Sequence, residues 1–380
     1  MLILGIESSC DETSLALLEG EVDASLDFYT QINQFKVKAS LISSQIDIHK
    51  QYGGVVPEVG ARNHAQQVHF LFKELLSQFR KEEWTVDSSS ILLDSSDLTI
   101  LEDLKYIFVT TEPGLMAGLR VGLEFAKTLQ FFILQKLGLF VEIFNVNHLQ
   151  GHVTSCFYKM EQKFEPMQVF PHLHLLVSGG NTQIILFESR KKWQIVGKTL
   201  DDAAGECFDK VGRMLGFTYP GGVSVARTAG LEETNILDLP VSMKESPELN
   251  FSYSGLKTAS RYFLQDAEVK GFKFEHKLSD DEVFKLVSGD VAGDKKLEFV
   301  RDFCISVQSV IVQQLINQLK KGIKKYKPIT IGVSGGVSAN KLLRKRICEI
   351  FPQDKVFIPH ISLTGDNATM IALAGLALLD

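Results

Sequence analysis

The chain has 380 residues, 45% of them apolar and 23% charged, with a formal net charge of −6; that length predicts two domains, and that balance predicts a soluble globular protein. Its five cysteines are scattered, with no C-x-x-C pair, which argues against a disulfide framework or thiolate zinc site and fits a reducing compartment. The longest apolar stretch, 368–379, is too short to cross a bilayer, and the acidic total leaves any nucleic-acid partner to a local basic patch.

In chain order, a strand at 2–7, a polar turn at 8–13 and a strand at 14–18 open the sequence. The start, MLILGIESSCDET, has no basic leader and carries acids directly after its apolar run, so a secretory signal is not expected. Helical spacing of apolar residues predicts helices over 64–79 and 121–137. The Ser- and Asp-rich 83–103 reads as a surface insertion or linker rather than core. A second strand–turn–strand unit follows at 173–177, 178–181 and 182–187, about half the chain from the first, and predicts an internal duplication. Segments 231–250 and 279–296 read as polar, irregular excursions. A helix is expected over 304–319. A β-branched strand at 329–333 leads through Ser334-Gly335-Gly336 into a helix at 338–350, and an apolar helix runs from Asn367 onwards.

Several residues could carry chemistry. In His148-Leu149-Gln150-Gly151-His152 the two histidines stand at i and i+4, on one face if helical, which suits two imidazole ligands of one metal. A carboxylate usually completes such a site, and Asp366 is the candidate. The same residues also suit a polar helix face and a helix N-cap. Leu176-Val177-Ser178-Gly179-Gly180 lets backbone N–H groups approach an anion, or simply makes a tight hairpin turn. The 332–340 segment joins a strand to a helix and favours a phosphate or nucleotide edge, with a spacing that matches neither the Walker nor the Rossmann pattern. Asp11 and Glu12 stand at the first turn. Asp201, Asp202, Glu206 and Asp209 form an acidic run interleaved with small residues rather than with Lys and Arg. Basic clusters at 320–327 and 341–346 suit either solvated helix surface or phosphate.

Taken together, ILGIESSCDET, HKQYGGVVPEVGARNH, NHLQGH, LLVSGGNTQ, DDAAGECFDKVGRMLG, YPGG, FSYSGLKT, GVSGGVSAN and TGDNATMIALAG occur in the order seen in the TsaD family, the tRNA N6-adenosine threonylcarbamoyltransferases once described as glycoprotein endopeptidases. The resemblance covers almost the whole chain. It implies an α/β, actin-like (ASKHA) two-domain fold with duplicated ribonuclease-H-like β-sheet cores, divided at 1–170, with helix 366–380 packing back, and 171–365. It implies transfer of a threonylcarbamoyl group from threonylcarbamoyl-AMP to N6 of adenosine at position 37 of tRNAs reading codons that begin with adenine, releasing AMP. By motif, His148, His152 and Asp366 hold one Fe2+ per subunit, Zn2+ being possible. Leu176, Val177, Ser178, Gly179, Gly180, Asp209, Gly222 and Asn340 hold the adenylate. Asp11 is the candidate general base, by its position in the first loop. TsaB-like and TsaE-like protein partners, a cytoplasmic location and no membrane association are expected.

The sequence departs from the family pattern at Asn147 and Gln150 around the first histidine, at Glu112, and at Asn181 after Ser-Gly-Gly. Three rivals have clear discriminators. A metalloprotease needs a carboxylate base beside its histidines, where Gln150 stands. A small-molecule kinase of the same fold uses ATP and magnesium and has no need of the histidine pair. A nucleotide-gated scaffold keeps nucleotide binding after loss of the metal ligands.

Overall fold

The computed structural model describes residues 1–23, 25–82, 93–160, 167–244, 246–269 and 277–379. They fall into two compact units, Met1–Gln168 with Pro359–Asp380, and Val169–Ile358.

The first unit opens on β1 (Leu2–Glu7), buried along its whole length. It pairs antiparallel with β2 (Glu12–Glu19), from Leu2 opposite Glu19 to Glu7 opposite Ser14, so the turn between them is 8–11. The near-continuous apolar run of β1 is what a strand covered on both faces requires. After α1 (Phe28–Gln34), capped by Asp27, β3 (Lys36–Ser44) adds antiparallel to β2. Three helices follow: α2 (Ile46–His49), α3 (Pro57–Arg80) and α4 (Ser95–Glu102). Then β4 (Leu104–Glu112) joins β1 in parallel, α5 (Met116–Leu137) crosses back, and β5 (Glu142–Asn147) joins β4 in parallel. α6 (His148–Ser155) begins directly where β5 ends. The sheet order is β3-β2-β1-β4-β5. Val68, Leu71, Phe72 and Leu75 of α3 share a core with Leu129 and Ile133 of α5 and the apolar face of β1.

The second unit repeats this plan. β6 (His172–Val177), β7 (Thr182–Phe187) and β8 (Trp193–Lys198) form an antiparallel meander. Helices α7 (Ala204–Met214), α8 (Gly221–Ala229), α9 (Ser254–Val269), α10 (Asp280–Ser288) and α11 (Lys295–Tyr326) come next. β9 (Thr330–Ser334) joins β6 in parallel, and after α12 (Lys341–Ile350) the short β10 (Val356–Phe357) joins β9. The order β10-β9-β6-β7-β8 has the same antiparallel and parallel steps as the first sheet. Two such copies are the duplicated ribonuclease-H-like cores of the actin-like fold. Among the described residues, α11 alone is long and apolar enough to cross a membrane, and 78% of its most apolar window is buried. Val300, Phe303, Val307, Ile311 and Leu315 place it in the core of the second unit.

The last helix, α13 (Ala368–Gly375), is buried at every residue and packs on β1, β2 and α6 of the first unit. Gly5 makes this possible, because a Cβ there would stand 2.2 Å from the Ala368 carbonyl oxygen.

Two expected irregular segments contain helices. Of 83–103, residues 83–92 lie outside the described set, while α4 is capped reciprocally by Asp94 and Asp97, and Asp97 is fully buried against Lys73 and Arg80. The 279–296 segment holds α10, capped by Ser279 and Glu282, and the start of α11. In both, a short polar run is a helix cap, and the few apolar residues after it form one face.

Candidate metal centre and anion-binding loops

The Asn147 side chain caps α6, its Oδ1 accepting from Leu149 N at 2.9 Å and Gln150 N at 3.4 Å. The departure at 147 therefore has a local structural role. Helical geometry then puts His148 and His152 side by side, ring centroids 4.7 Å apart. Gly151 between them faces Ile371 and Met370 of α13. At the other side of the site, the N-cap of α13 is Asn367, which accepts from Met370 N at 2.9 Å. Asp366 is thus left free of capping. Its Oδ1 lies 3.0 Å from His152 Nε2 and 3.5 Å from His148 Nε2.

One potential ligand atom from each of the three residues lies within 4.8 Å of the others. His152 is 1% exposed, and among the described residues no hydrogen-bond donor or acceptor meets either ring nitrogen beyond the Asp366 carboxylate, 3.0 Å from Nε2. A buried imidazole whose one polar neighbour is a carboxylate is costly, and a cation shared with Asp366 and His148 removes that cost. Two imidazoles and a carboxylate form a donor set suited to a transition metal. The three residues are a candidate metal-binding group.

Behind His148 stands Glu7, fully buried at the end of β1, with Oε2 3.1 Å from His148 Nδ1. The Glu7 carboxylate also accepts from Ser9 N at 2.6 Å and from the Thr110 hydroxyl at 2.6 Å. A carboxylate on Nδ1 fixes the ring so that Nε2 is the ligand nitrogen. Burial pulls His148 down, but the Asp366 and Glu7 carboxylates outweigh it and raise its pKa to about 9. Burial pushes Glu7 up, and the charge and hydrogen bond of His148 outweigh that, so its carboxyl is held below the usual range. The sequence carried a signal for Glu7: it is the one acid in the apolar run LILGIE.

The turn beside this group carries Asp11, which is buried. Burial, with the Asp366 and Asp11 charges adding, pushes Glu12 up to about 10. Burial and then the Asp11 and Asp366 charges push the Cys10 thiol well up, so Cys10 offers no thiolate.

In the second unit, Leu176 and Val177 are buried strand residues. The hairpin after them closes through Ser178 N to Asn181 O at 2.8 Å and Asn181 N to Ser178 Oγ at 3.1 Å. Gly179 and Gly180 have open space where a Cβ would stand. Gly335 has φ 87° and brings the second glycine loop so close that a Cβ would be 2.4 Å from Val177 O; only glycine fits. Gly205 of α7 approaches Ser178 O in the same way. The fold thus brings 176–180, Gly205 and Gly335 together. Asp209 Oδ1 accepts from Gly222 N at 2.7 Å, and burial pushes its carboxyl up against that bond. Asn340 is engaged inside the unit, its Oδ1 capping α12 through Leu343 N and its Nδ2 donating to Gln308 Oε1 at 2.7 Å.

The acidic run is a structural clamp. Asp201 accepts from Ser252, from Tyr253 N and from Ser254, and Asp202 pairs with Lys210 and Lys257. In the basic cluster of α12, Lys345 and Arg346 pair with Glu233. These partners lie 51–113 residues away where they are not local, beyond the reach of spacing arguments.

The family model described as TsaD, tRNA N6-adenosine threonylcarbamoyltransferase, matches residues 36–373. A tRNA N6-adenosine threonylcarbamoyltransferase of Thermosipho melanesiensis is 36% identical over 382 residues, covering 100% of this chain and 95% of that protein. One from Francisella philomiragia is 37% identical over 383 residues, covering 99% of this chain and 93% of that protein. Among solved structures, the ROK hexokinase of Thermus thermophilus matches with a TM-score of 0.41 at 12% identity, over 100% of this chain and 98% of that one.

Proposed function

Since the chain belongs to the TsaD family of tRNA N6-adenosine threonylcarbamoyltransferases, we propose that its donor is threonylcarbamoyl-AMP and its acceptor N6 of adenosine 37, in tRNAs reading codons that begin with adenine. The observation that carries the site assignment is the buried His152, whose Nε2 meets only the Asp366 carboxylate beside His148. These three residues would hold one Fe2+ per subunit, and Zn2+ would suit the same donors. When bound, the ion supplies Lewis acidity and a template for the carbamoyl group. Glu7 keeps His148 Nε2 turned toward Asp366. In the second unit, the open amides around Gly179 and Gly180 receive the adenylate phosphate. The Asp209 oxygen not engaged by Gly222 accepts a hydroxyl of the nucleoside, and Asn340, whose side chain caps α12, borders the adenylate on the second glycine loop.

In the transfer, the N6–C bond forms, the C–O bond to the AMP phosphate breaks, and the amine proton leaves. Asp11 takes that proton, a contribution of about 10²–10⁴-fold. The mixed anhydride already has a good leaving group, so attack is direct. The protein works in the cytoplasm with TsaB-like and TsaE-like partners.

Incubation of the protein and those partners with tRNA and threonylcarbamoyl-AMP carrying labelled threonine tests this reading. Label is expected in tRNA at adenosine 37, with release of one AMP per transfer. Label absent from tRNA, with phosphate moving from ATP to a small molecule instead, would replace the transferase by a kinase.

A further inference from the structure

Three consecutive carbonyls of the 8–11 turn are each pinned from a different element. Ser9 O accepts from Leu115 N at 2.7 Å, and Asp11 O accepts from Gln45 N at 2.9 Å. Between them, Cys10 O faces His64 Nε2 of α3 at 3.1 Å. A carbonyl only accepts, so this nitrogen carries the proton, and Nδ1 is the acceptor for Thr13 Oγ1 at 2.7 Å and Gln45 Nε2 at 3.2 Å.

The chain of bonds continues backwards. Gln45 Oε1 stands 3.3 Å from His49 Nε2, and His49 Nδ1 accepts from Val56 N at 3.3 Å. A backbone N–H only donates, so the His49 proton is on Nε2 and points at Gln45. The donors from Val56 N through His49 Nε2 and Gln45 Nε2 thus lead to His64, which ends the series on Cys10 O, while Gln45 Nε2 also reaches Gly60 O at 3.4 Å. His49, Gln45 and His64 are all 0% exposed. A turn between two paired strands closes without such bracing, so a buried side-chain series spent on one carbonyl calls for another reason. The next residue is Asp11.

We infer that His64 is a positioning residue for the transfer: backed by Gln45 and His49, it fixes the Cys10 carbonyl and thereby where the Asp11 carboxylate stands. This rests on the reading of Asp11 as the proton acceptor. His64 touches no reacting atom; it acts through the turn. A base displaced by about 1 Å loses on the order of 10²-fold in rate, so the expected signature is a change in kcat with binding and metal content intact.

The test compares His64→Ala, His64→Gln and Asp11→Asn in the partner-supplemented transfer assay, with kcat, the KM for threonylcarbamoyl-AMP, bound metal and folded fraction measured for each. His64→Ala is expected to lower kcat about 10- to 100-fold at unchanged KM and metal content. His64→Gln, whose amide can still donate to Cys10 O, should recover part of that loss and serves if the alanine variant does not fold. Asp11→Asn should be at least as slow as His64→Ala. A folded His64 variant with wild-type kcat beside a slow Asp11→Asn overturns the positioning role alone. Wild-type kcat in Asp11→Asn overturns the base reading and with it the purpose given to His64. A kcat loss that only follows lost metal or lost folded protein assigns His64 to stability and overturns the inference.

Discussion

His152 gives the first prediction at the scale of single residues. A buried polar group left unmet costs about 1–3 kcal/mol, so metal-free protein should be measurably less stable than loaded protein. Adding Fe2+ without oxygen, or Zn2+, should raise the melting temperature; at 100 times Kd the gain is about 2.7 kcal/mol. The shift should vanish in His152→Ala, and an equal shift in that variant would place the ion elsewhere. Glu7→Gln should keep the fold but weaken metal binding by about 10–100-fold, because it removes the charge that orients His148; unchanged affinity in a metal titration would deny Glu7 that role. At this scale the histidine pair was legible from i,i+4 spacing, since helical geometry alone puts two such rings on one face. Asp366 was not separable from an N-cap by spacing. Only the coordinates show that Asn367 does the capping.

Among the elements, α13 has the tightest demand. Its first residue follows Asn367 and Asp366, and its carbonyl at Ala368 lies where a side chain on Gly5 would go. Gly5→Ala should therefore push α13 off β1, destabilising the protein by about 1–3 kcal/mol through overpacking and lowering metal affinity as Asp366 moves. Chemical unfolding with a parallel metal titration checks both, and a variant with wild-type values in each would show that the backbone yields freely. Strong periodic segments were readable from the sequence, though α3, α5 and α11 each start earlier than expected: α11 opens on polar Lys295 and Lys296, α3 on Pro57 and Glu58, and α5 on Met116-Ala117-Gly118, where glycine and alanine blur the pattern. α4 and α10 were missed because their caps look like loops: Asp94-Ser95-Ser96-Asp97 is a reciprocal cap, not a linker. β3 was missed as well; it alternates between exposed, half-buried and buried residues and lies at the sheet edge, so its apolar pattern is weak.

For the whole molecule, the repeat of strand–turn–strand units correctly announced two copies of one sheet topology. The long-range clamps within the second unit did not show in the sequence, because Asp201 and Asp202 find their partners through the fold. That unit also buries a charge-sensitive pair on β6, where His172 Nε2 lies 3.1 Å from His174 Nδ1 and His174 Nε2 lies 2.7 Å from Ser334 Oγ. Burial pulls the His172 pKa down to about 3, against about 6.5 in the unfolded chain. Below pH 6.5 the unfolded state takes up a proton that the folded state refuses. The contribution of His172 to stability is therefore full above that value and is lost as pH falls toward 3. Between pH 7.5 and 5, the melting temperature of the wild type relative to His172→Gln should fall as pH falls; a difference that stays constant across that range would show that His172 does not titrate in this way.

The most direct measurement is metal content and transfer on the same preparations, purified without oxygen, of the wild type and of Asp366→Ala. Wild-type protein should carry one ion per chain and modify tRNA when given threonylcarbamoyl-AMP, while the folded variant should lose both the ion and the modification. Transfer at the wild-type rate by metal-free Asp366→Ala would contradict the account.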